Sequence, residues 1–291
     1  MIRRFLCLGS LNVDITFPVE RMPAEHEKLR CPEAYLSFGG GAANTAHWLA
    51  WFGHRVDMLG CVGADPFGDL AIQALADAGV GTEWVQRAPE ILSGMAAIFV
   101  NPRSKRMVSS GGANLRFDPR AVPMNVFAPG LHLHVATSLL DRVLPLARLA
   151  KSRGATVSAD LDDAPSAELS ACLDWLFMNH SSLKRWTGSD DPEATRGLLA
   201  AGTHLAVTCG AEGAWVLGAD GAEFHPAFPV EVIDRTGGGD AFAAGFLHGL
   251  AGGFPVTECL RDGLWLASRV IALPGSRPDL GASGDAAQAP A

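Results

Sequence analysis

Short apolar segments alternate with amphipathic ones along most of the chain. The first, "RFLCLGSLNVDITFPV", predicts a buried strand, a polar turn and a second extended segment. The next, "AANTAHWLAWFG", has apolar residues at helical spacing and stops at Gly53, a residue type common at helix C-termini. "RVDMLGCVG" then predicts a short buried strand, and "FGDLAIQALADAGV" predicts a second amphipathic helix. The order strand, helix, strand, helix is typical of an α/β domain.

The same alternation continues through residues 131–250. It is carried by "LHLHVAT", "RVLPLARLAKSRG", "TVSADLD", "DWLFMNH", "EATRGLLAAG", "HLAVTCG", "GAWVLG" and "DAFAAGFLHGL". This pattern predicts a three-layer α/β/α sandwich, in which helices cover both faces of a mostly parallel central sheet. Residues 91–113 differ, because "SGMAAIFVNPRSKRMVSSGG" predicts two strands around an "NPRSK" turn. We expect this hairpin to lie outside the main sheet.

The length of 291 residues suits one large domain, which we assign to residues 1–280. The remaining residues, 281–291, read "GASGDAAQAPA" and lack apolar anchors, which predicts a mobile tail. Hydrophobic residues make up 48% of the chain, charged residues make up 19%, and the formal net charge is -8. This balance is ordinary for a soluble protein and repels polyanions, so nucleic acid is not expected as a partner.

The cysteines and the apolar runs bear on the cellular compartment. The six cysteines form no CxxC pair and no regular framework, which suits buried thiols in a reducing compartment. Asn12 and Asp14 interrupt the N-terminal apolar segment too early for a signal-peptide core. No apolar run reaches the roughly 18 residues of a membrane span. We therefore expect a cytoplasmic protein without membrane association.

The segment "DRTGGGDAF" combines three glycines with a carboxylate at the start of a helix. The backbone N–H groups of Gly237, Gly238 and Gly239 could approach an anion closely, and the helix dipole favours negative charge there. An acid beside a phosphate is useful if a proton must be removed, so Asp240 could deprotonate an attacking hydroxyl. The alternative is that Asp240 only caps the helix, since aspartate is a preferred N-cap residue.

A second glycine cluster, "SFGGGAANTAHWLAWFGHRVD", has some features of a dinucleotide-binding fingerprint, with Asp57 about where a ribose-binding acid would lie. The fingerprint would require Gly or Ala at position 44, which is Asn44. This departure disfavours a nicotinamide-dependent oxidoreductase. Asn44 fits either a reader of substrate hydroxyls or a helix cap. No Walker A sequence occurs in the chain, so a kinase here is not of the P-loop kind.

Three segments in this order, "GSLNVD", "GGGAANTA" and "DRTGGGDAFAAGFL", make the chain similar to the ribokinase or PfkB family of carbohydrate and nucleoside kinases. "MNHSSLKRWTG" and "LAVTCGAEGAWVL" extend the resemblance to about residue 280. The resemblance implies a ribokinase-like domain carrying a small β-sheet lid, built from about residues 15–38 and 91–113. Such a lid would close over the sugar and exclude water.

The resemblance also implies roles for individual residues. The catalytic base would be Asp240, and the anion hole Gly237, Gly238 and Gly239. Substrate hydroxyls would bind Asp14, at the end of the first strand, together with Gly39, Gly40, Gly41 and Asn44. ATP would lie along Thr208, Gly210 and Gly213, with Asn179 near the phosphates and their Mg²⁺. Asp234 matches a position that helps hold a monovalent cation such as K⁺ in some members.

Two positions depart from the family pattern. "NHSS" stands where Asn-x-x-Glu is usual, so Ser182 replaces a glutamate that helps order Mg²⁺ and the phosphates. Arg235 replaces a commoner small residue and puts a cation near the expected phosphate path, where it could bind the nucleotide or an acidic substrate, or could be a solvated surface residue. Neither change removes the base or the anion hole.

The sequence therefore predicts an ATP-dependent kinase that phosphorylates a primary hydroxyl of a sugar. A nucleoside kinase and a keto-deoxy sugar acid kinase remain as alternatives, and a nucleoside base would need a shelf that four aromatic residues could supply: Phe17, Tyr35, Phe38 and Phe99. A non-catalytic sugar-binding homologue is the alternative that the missing glutamate suggests. Because exposed strand edges tend to be paired or covered, we expect a homodimer formed through the lids.

Overall fold

The computed structural model describes residues 1–101, 104–137, 139–218 and 221–281. Within these ranges the chain forms thirteen strands: β1 Arg4–Gly9, β2 Asn12–Pro18, β3 Tyr35–Gly39, β4 Val56–Gly63, β5 Val85–Ala88, β6 Gly94–Asn101, β7 Ser104–Ser110, β8 Leu131–Ala136, β9 Thr156–Asp160, β10 Trp175–Asn179, β11 His204–Thr208, β12 Gly213–Gly218 and β13 Gly221–Pro226. It also forms seven α-helices: α1 Gly41–Trp51, α2 Pro66–Asp77, α3 Leu140–Ser152, α4 Ala167–Ser170, α5 His180–Thr187, α6 Gly238–Gly252 and α7 Val256–Ile271. The predicted tail, apart from Gly281, lies outside the described residues, as do the turn residues 102–103.

Nine strands form the central sheet, in the order β13-β12-β11-β10-β9-β8-β1-β4-β5. All neighbours from β11 to β5 pair in parallel, and only β12 and β13 add antiparallel edges. Side chains alternate across the sheet, so Phe5 and Cys7 enter one hydrophobic core while Leu6 and Leu8 enter the other. The predicted sandwich with a mostly parallel sheet is confirmed.

Helices α1, α2, α3 and α6 follow the sequence pattern, whereas α4, α5 and α7 were not predicted and one predicted helix does not form. Helix α6 is apolar around most of its circumference and is buried between the sheet and α7, a helix that the sequence analysis did not assign. The predicted helical segment "EATRGLLAAG" forms only a 3₁₀ turn, Pro192–Thr195. That prediction was wrong because Gly197 adopts a φ of 80°, which ends helical geometry.

A separate four-stranded sheet, with the order β3-β2-β6-β7, forms the small sheet of this protein. It contains Asp14 in β2, so the expectation that Asp14 lies at the end of the first strand was wrong. The short turn at residues 10–11 sends the chain from the central sheet into the small one, and this turn separates β1 from β2. The aspartate therefore stands above the central sheet instead of at its edge.

Candidate active site

The carboxyl ends of the parallel strands form one wall of a cavity of about 630 Å³. Ala136 ends β8, Asp160 ends β9, Asn179 ends β10 and Thr208 ends β11, and all four residues line this cavity. It lies beside β1, where the connections diverge toward β4 on one side and β8 on the other. Crevices at such a divergence are the usual ligand sites of open α/β sheets. Asp240 completes the lining from α6.

Asp240 lies in the first turn of α6, and its position answers the question whether it caps the helix. The N-cap residue is Gly237, at φ 79°, and no side chain caps this end. The Asp240 Oδ2 atom instead accepts a hydrogen bond from Asn44 Nδ2 at 2.7 Å. The carboxylate is thus directed to the cavity and to α1, while the helix N-terminus with its glycines stays available to an anion.

Burial and charge set the proton affinity of this carboxylate. Burial raises the pKa of Asp240 to about 6, and the negative charge of Asp162 acts in the same direction. The hydrogen bond from Asn44 and the positive charge of Arg277 oppose this increase. A carboxylate with a pKa near 6 is ionised at neutral pH and is a stronger base than an exposed aspartate.

The glycine run at the start of α1 lies between the two aspartates of the expected site. A Cβ atom on Gly39 would lie 2.6 Å from Asp14 Oδ2, and one on Gly41 would lie 3.1 Å from Asp240 Oδ1. Gly40 has a φ of 98°, and a Cβ there would lie 2.1 Å from the carbonyl oxygen of Ser10. A side chain at Gly39 or Gly41 would fill the space beside a carboxylate, and one at Gly40 would collide with the backbone, so the run keeps the space beside both aspartates open.

Asp14 and Asp240 nevertheless line different cavities. Asp14 faces a cavity of about 710 Å³ between the small sheet and the loops around residues 232–236 and 274–276. The side chain of Arg277 interacts electrostatically with both carboxylates. Its Nη2 donates to the Gly39 carbonyl at 3.3 Å, and its Nε donates to Asn44 Oδ1 at 2.8 Å. The sequence analysis did not single out Arg277, which lies in a loop without a recognisable motif.

Asn44 is buried and its amide is engaged by protein groups. Besides Asp240 and Arg277, it meets Ser276, whose Oγ lies 3.2 Å from Asn44 Oδ1. The role of hydroxyl reader expected for Asn44 therefore depends on the one remaining N–H of its amide. In this structure the residue supports the carboxylate of Asp240.

The expected nucleotide residues line a third cavity, of about 460 Å³. Thr208, Gly210 and Gly213 form one side of it, and Gly238 and Gly239 form its end toward Asp240. The other walls are apolar and come from the 227–232 segment and from α7: Ala227, Phe228, Pro229, Val230, Val232, Leu264, Ala267 and Ile271. Sequence reasoning missed these walls, although the amphipathic pattern of residues 256–271 could have indicated a packed helix. A mostly apolar slot with a few polar groups suits a planar base.

Asn179 and Ser182 begin α5 at the edge of the Asp240 cavity. Asn179 caps the helix, with its Oδ1 accepting from the Ser182 N–H at 2.9 Å, and its Nδ2 lies 3.4 Å from Asp162 Oδ1. Ser182 is buried, and its Oγ accepts from Arg185 Nη2 at 3.1 Å. The carboxylate of Asp162 thus lies near Asn179, whereas position 182 carries only a hydroxyl.

Asp234 joins two loops near the glycine turn. Its Oδ1 accepts from the Thr236 N–H at 3.0 Å and from Thr236 Oγ1 at 2.6 Å, and its Oδ2 accepts from the Gly275 N–H at 3.1 Å. Arg235 is exposed and lies on the rim shared by the nucleotide cavity and the cavity of Asp14. Its guanidinium is therefore accessible to anions that enter either cavity.

Asp160 makes a testable contribution to stability. Burial, followed by the negative charges of Asp240 and Asp162, raises the pKa of Asp160 to about 8 from 3.8. The folded state thus binds a proton more tightly than the unfolded state, and this group destabilises the fold progressively as pH rises between about 4 and 8. We expect Asp160→Asn to raise Tm at pH 8 and to leave it nearly unchanged at pH 4, as measured by thermal unfolding of metal-free protein. The exposed neighbour variant Asp163→Asn serves as control, and parallel Tm–pH curves for Asp160→Asn and the wild type would refute the assignment.

Two features are absent from the residues that the structure describes. No helix in the described ranges is both long and apolar enough to cross a bilayer. No group of three or more His, Cys, Asp or Glu side chains in the same ranges is arranged to hold a metal ion. All six cysteines are free thiols.

Comparisons with known proteins identify the family. The model of the pfkB family carbohydrate kinases matches residues 3–281, which is nearly the whole chain. The chain belongs to the pfkB family of carbohydrate kinases. The predicted resemblance is thereby confirmed, and so is the predicted activity of an ATP-dependent phosphotransferase with an alcohol group as acceptor.

The pfkB-family relatives include several named kinases. An ATP-dependent ribose-1-phosphate kinase of Halopiger xanaduensis is 31% identical over 256 residues, covering 84% of this chain and 83% of the relative. A deoxyribokinase of Salmonella typhi is 32% identical over 257 residues, covering 83% of each chain. Among solved structures, Arabidopsis thaliana ribokinase complexed with ribose and ATP has a TM-score of 0.85 at 26% identity and 96% coverage of each chain. The ribokinase of Thermotoga maritima has a TM-score of 0.87 at 22% identity, which supports the fold.

Proposed function

We propose that this pfkB-family kinase transfers the γ-phosphoryl group of ATP to the primary hydroxyl of a pentose or a pentose derivative. The observation that carries the proposal is the position of Asp240, whose carboxylate faces the cavity beside the uncapped, glycine-rich N-terminus of α6. A base and an anion-binding helix end at one point are what an in-line attack of a hydroxyl on a phosphoryl group requires.

Each part of the site has a role in this reaction. The base of ATP would occupy the apolar cavity beside Thr208, Gly210 and Gly213, with its phosphates directed to Gly238 and Gly239. Asp240 would accept the proton of the substrate hydroxyl as its oxygen bonds to the γ-phosphorus and the bond from that phosphorus to the β,γ-bridging oxygen breaks, so that ADP leaves. The N–H groups of Gly237, Gly238 and Gly239 would stabilise the negative charge of the transferring group. Asp14 would bind the other hydroxyls of the sugar, since a carboxylate can accept from two adjacent hydroxyls.

Mg²⁺ fits the donor groups beside Asn179. The carboxylates of Asp160 and Asp162 lie on the same cavity as the Asn179 side chain, and oxygen donors are what this ion prefers. Mg²⁺ would be held mainly by the ATP phosphates and water there, where it neutralises charge on the phosphates. In the proposed arrangement Asp162, in the loop after β9, would take over part of the task that a glutamate at position 182 would have.

A monovalent cation such as K⁺ would bind near Asp234. The Asp234 carboxylate and the Thr236 hydroxyl gather oxygen atoms at the loop that leads into the anion hole. A cation there would stabilise the loop that presents Gly237, and its effect is measured by the dependence of activity on K⁺ against Na⁺ at constant ionic strength.

The preference for a sugar over a nucleoside rests on the two faces of the small sheet. Asp14 faces the body of the protein, and adjacent residues of a strand alternate in direction. Phe17, Phe38 and Phe99 belong to the opposite face, where Phe17 and Phe99 stack at 5.5 Å between ring centroids. Four aromatic residues were candidates to stack on a nucleoside base, and of these four only Tyr35 lines the cavity of Asp14. The relatives named for ribose-1-phosphate, deoxyribose and ribose also favour a pentose.

The proposal is tested by ADP release with ATP and Mg²⁺ against a panel of acceptors. The panel holds ribose, deoxyribose, ribose-1-phosphate, fructose, 2-keto-3-deoxygluconate, adenosine, inosine and cytidine. Turnover of a pentose or its phosphate, lost in Asp240→Asn, supports the proposal. Turnover of a nucleoside alone, or of the keto-deoxy acid alone, would replace the pentose as the proposed substrate. ATP binding without turnover of any acceptor would favour a non-catalytic binding protein.

We also propose that the small sheet acts as the lid and that two lids pair in a homodimer. The outward face of the sheet carries a row of apolar residues in register: Leu36, Ile15, Ala97 and Val108. Leu36 is 49% exposed and Val108 is 73% exposed, so an apolar strip reaches solvent at both edges. A second copy of the same face would cover this strip through an isologous contact.

The dimer is checked by sedimentation velocity at micromolar concentration. We expect the wild type to sediment as a dimer and Val108→Lys to shift it to monomer, because a charge would be buried at the contact. Met107→Lys is the matched control: Met107 is 59% exposed but belongs to the opposite face of the same strand, and this variant should stay dimeric. A monomeric wild type, or equal effects of the two variants, would contradict the proposal.

A further inference from the structure

The Asn44 amide links two residues that are far apart in sequence. Asn44 Nδ2 donates to Asp240 Oδ2 at 2.7 Å, and Asn44 Oδ1 accepts from Arg277 Nε at 2.8 Å. The three side chains therefore form a chain of hydrogen bonds that ends on the proposed catalytic base. The arrangement is buried at its centre, since Asn44 is only 4% exposed.

The direction of these hydrogen bonds is set by Arg277. A guanidinium has only donors, so the amide atom that faces it must be the oxygen, and the NH₂ group must then face Asp240. Ser276 cannot fix this orientation, because its single hydroxyl proton is shared between two acceptors, Asn44 Oδ1 at 3.2 Å and the Phe38 carbonyl at 3.1 Å. If the amide turned over, its oxygen would face the carboxylate and repel its ionised form.

Arg277 also supplies positive charge beside Asp240. Negative charge comes from Asp162, in the loop that follows β9. Arg277 is attracted to Asp240 and to Asp14. Burial lowers the pKa of Arg277 to about 10, so the guanidinium remains charged at neutral pH.

We propose that Arg277 is a positioning residue for phosphoryl transfer: it fixes the Asn44 amide so that one oxygen of Asp240 is held by a donor and the carboxylate stays ionised. The other oxygen, Oδ1, faces Gly41, where the substrate hydroxyl would approach. Without Arg277, the negative charge of Asp162 and the burial of Asp240 would favour its protonated form, which cannot accept the proton. This inference rests on the proposed role of Asp240 as the base.

The test compares pH profiles of kcat/KM at saturating ATP for the wild type and three variants. Arg277→Met removes both the donor and the charge, Arg277→Lys keeps the charge, and Ser276→Ala removes a neutral partner of the same amide. We expect the acid limb of Arg277→Met to move to higher pH by about one unit, from about 6 to about 7, which corresponds to about a fivefold larger loss of activity at pH 6 than at pH 8. Arg277→Lys should give a smaller displacement, and Ser276→Ala should keep the wild-type midpoint.

A second measurement does not depend on turnover. The carboxyl ¹³C shift of Asp240, assigned by its absence in Asp240→Asn, titrates at higher pH in Arg277→Met than in the wild type if the inference holds. Thermal unfolding checks that each variant is folded. If Arg277→Met loses activity equally at all pH values and its ¹³C titration does not move, the inference is overturned. If its KM rises at every pH but only for an anionic sugar, Arg277 binds substrate and does not position Asn44.

Failure of the inference and failure of the proposed function give different results. If Asp240→Asn retains wild-type turnover, the base is elsewhere and the proposed function of Asp240 fails. If Asp240→Asn is inactive but neither the acid limb nor the ¹³C titration responds to Arg277→Met, the base stands and only the role of Arg277 is refuted.

Discussion

Asp240→Asn is expected to lower kcat by about 10²–10⁴-fold, the range that general-base catalysis contributes. The amide has the shape of the carboxylate but cannot accept a proton from the substrate hydroxyl at neutral pH. Binding of ATP should change little, because the nucleotide cavity and the glycine N–H groups are untouched. The measurement is steady-state ADP release with the preferred acceptor, together with an ATP titration followed by thermal shift.

The same substitution should not destabilise the protein. Since burial raises the pKa of Asp240 from 3.8 to about 6, its ionisation costs the folded state free energy that develops between these pH values and stays constant above them, and a neutral amide removes this cost. Asp77→Asn, at the exposed end of α2, neutralises a carboxylate outside the cavity and is the matched control for activity. Turnover of Asp240→Asn within threefold of the wild type, with unchanged acid limb, would remove Asp240 from the mechanism.

Gly237→Ala is expected to cost roughly 2–5 kcal/mol of stability and most of the activity. Gly237 has a φ of 79°, and strain of about 1–2 kcal/mol follows for a residue with a Cβ in this region. The new Cβ would also lie 2.6 Å from Ser276 Cβ and 2.8 Å from Ser276 Cα, so the backbone of the 274–277 loop must move. Because Arg277 follows directly, this shift would disturb its hydrogen bond to Asn44. Tm from thermal unfolding and kcat from ADP release report the two effects.

Gly239→Ala separates backbone strain from loss of the anion hole. A Cβ at Gly239 meets nothing within 4 Å, and the residue already lies in α6 with an ordinary φ. Alanine favours a helix over glycine by up to about 1 kcal/mol, so Tm should stay or rise. Its Cβ points to open space at the cavity that would hold phosphate, so activity can fall without loss of stability. Equal Tm losses for Gly237→Ala and Gly239→Ala would show that the glycine turn is not strained as described.

Much of the fold could be predicted because its signals are local. Strands β1, β4 and β11 are short apolar runs between turn residues. In β1, for example, Leu6 and Leu8 face one core, and Phe5 and Cys7 face the other. Helix α7, which was not predicted, and the predicted helix near Gly197, which does not form, show where local sequence signals are insufficient. Whether an amphipathic segment of moderate length becomes a helix depends on what it packs against and on single glycine conformations.

The sequence by itself determined the three-layer sandwich, the family and the candidates Asp14, Asp240 and the two glycine runs, because these lie in short contiguous motifs. Only the tertiary structure decided which of them meet. Asn44 and Asp240 are 196 positions apart and Asn44 and Arg277 are 233 apart, so no local pattern could join them. It also assigned Asp14 to the small sheet, assembled the apolar nucleotide cavity from the 227–232 segment and α7, and brought three carboxylates close enough to raise the pKa of Asp160. Contacts between side chains that are distant in sequence depend on how the packed helices and strands approach one another. Local sequence patterns do not contain this information, and only the folded structure supplies it.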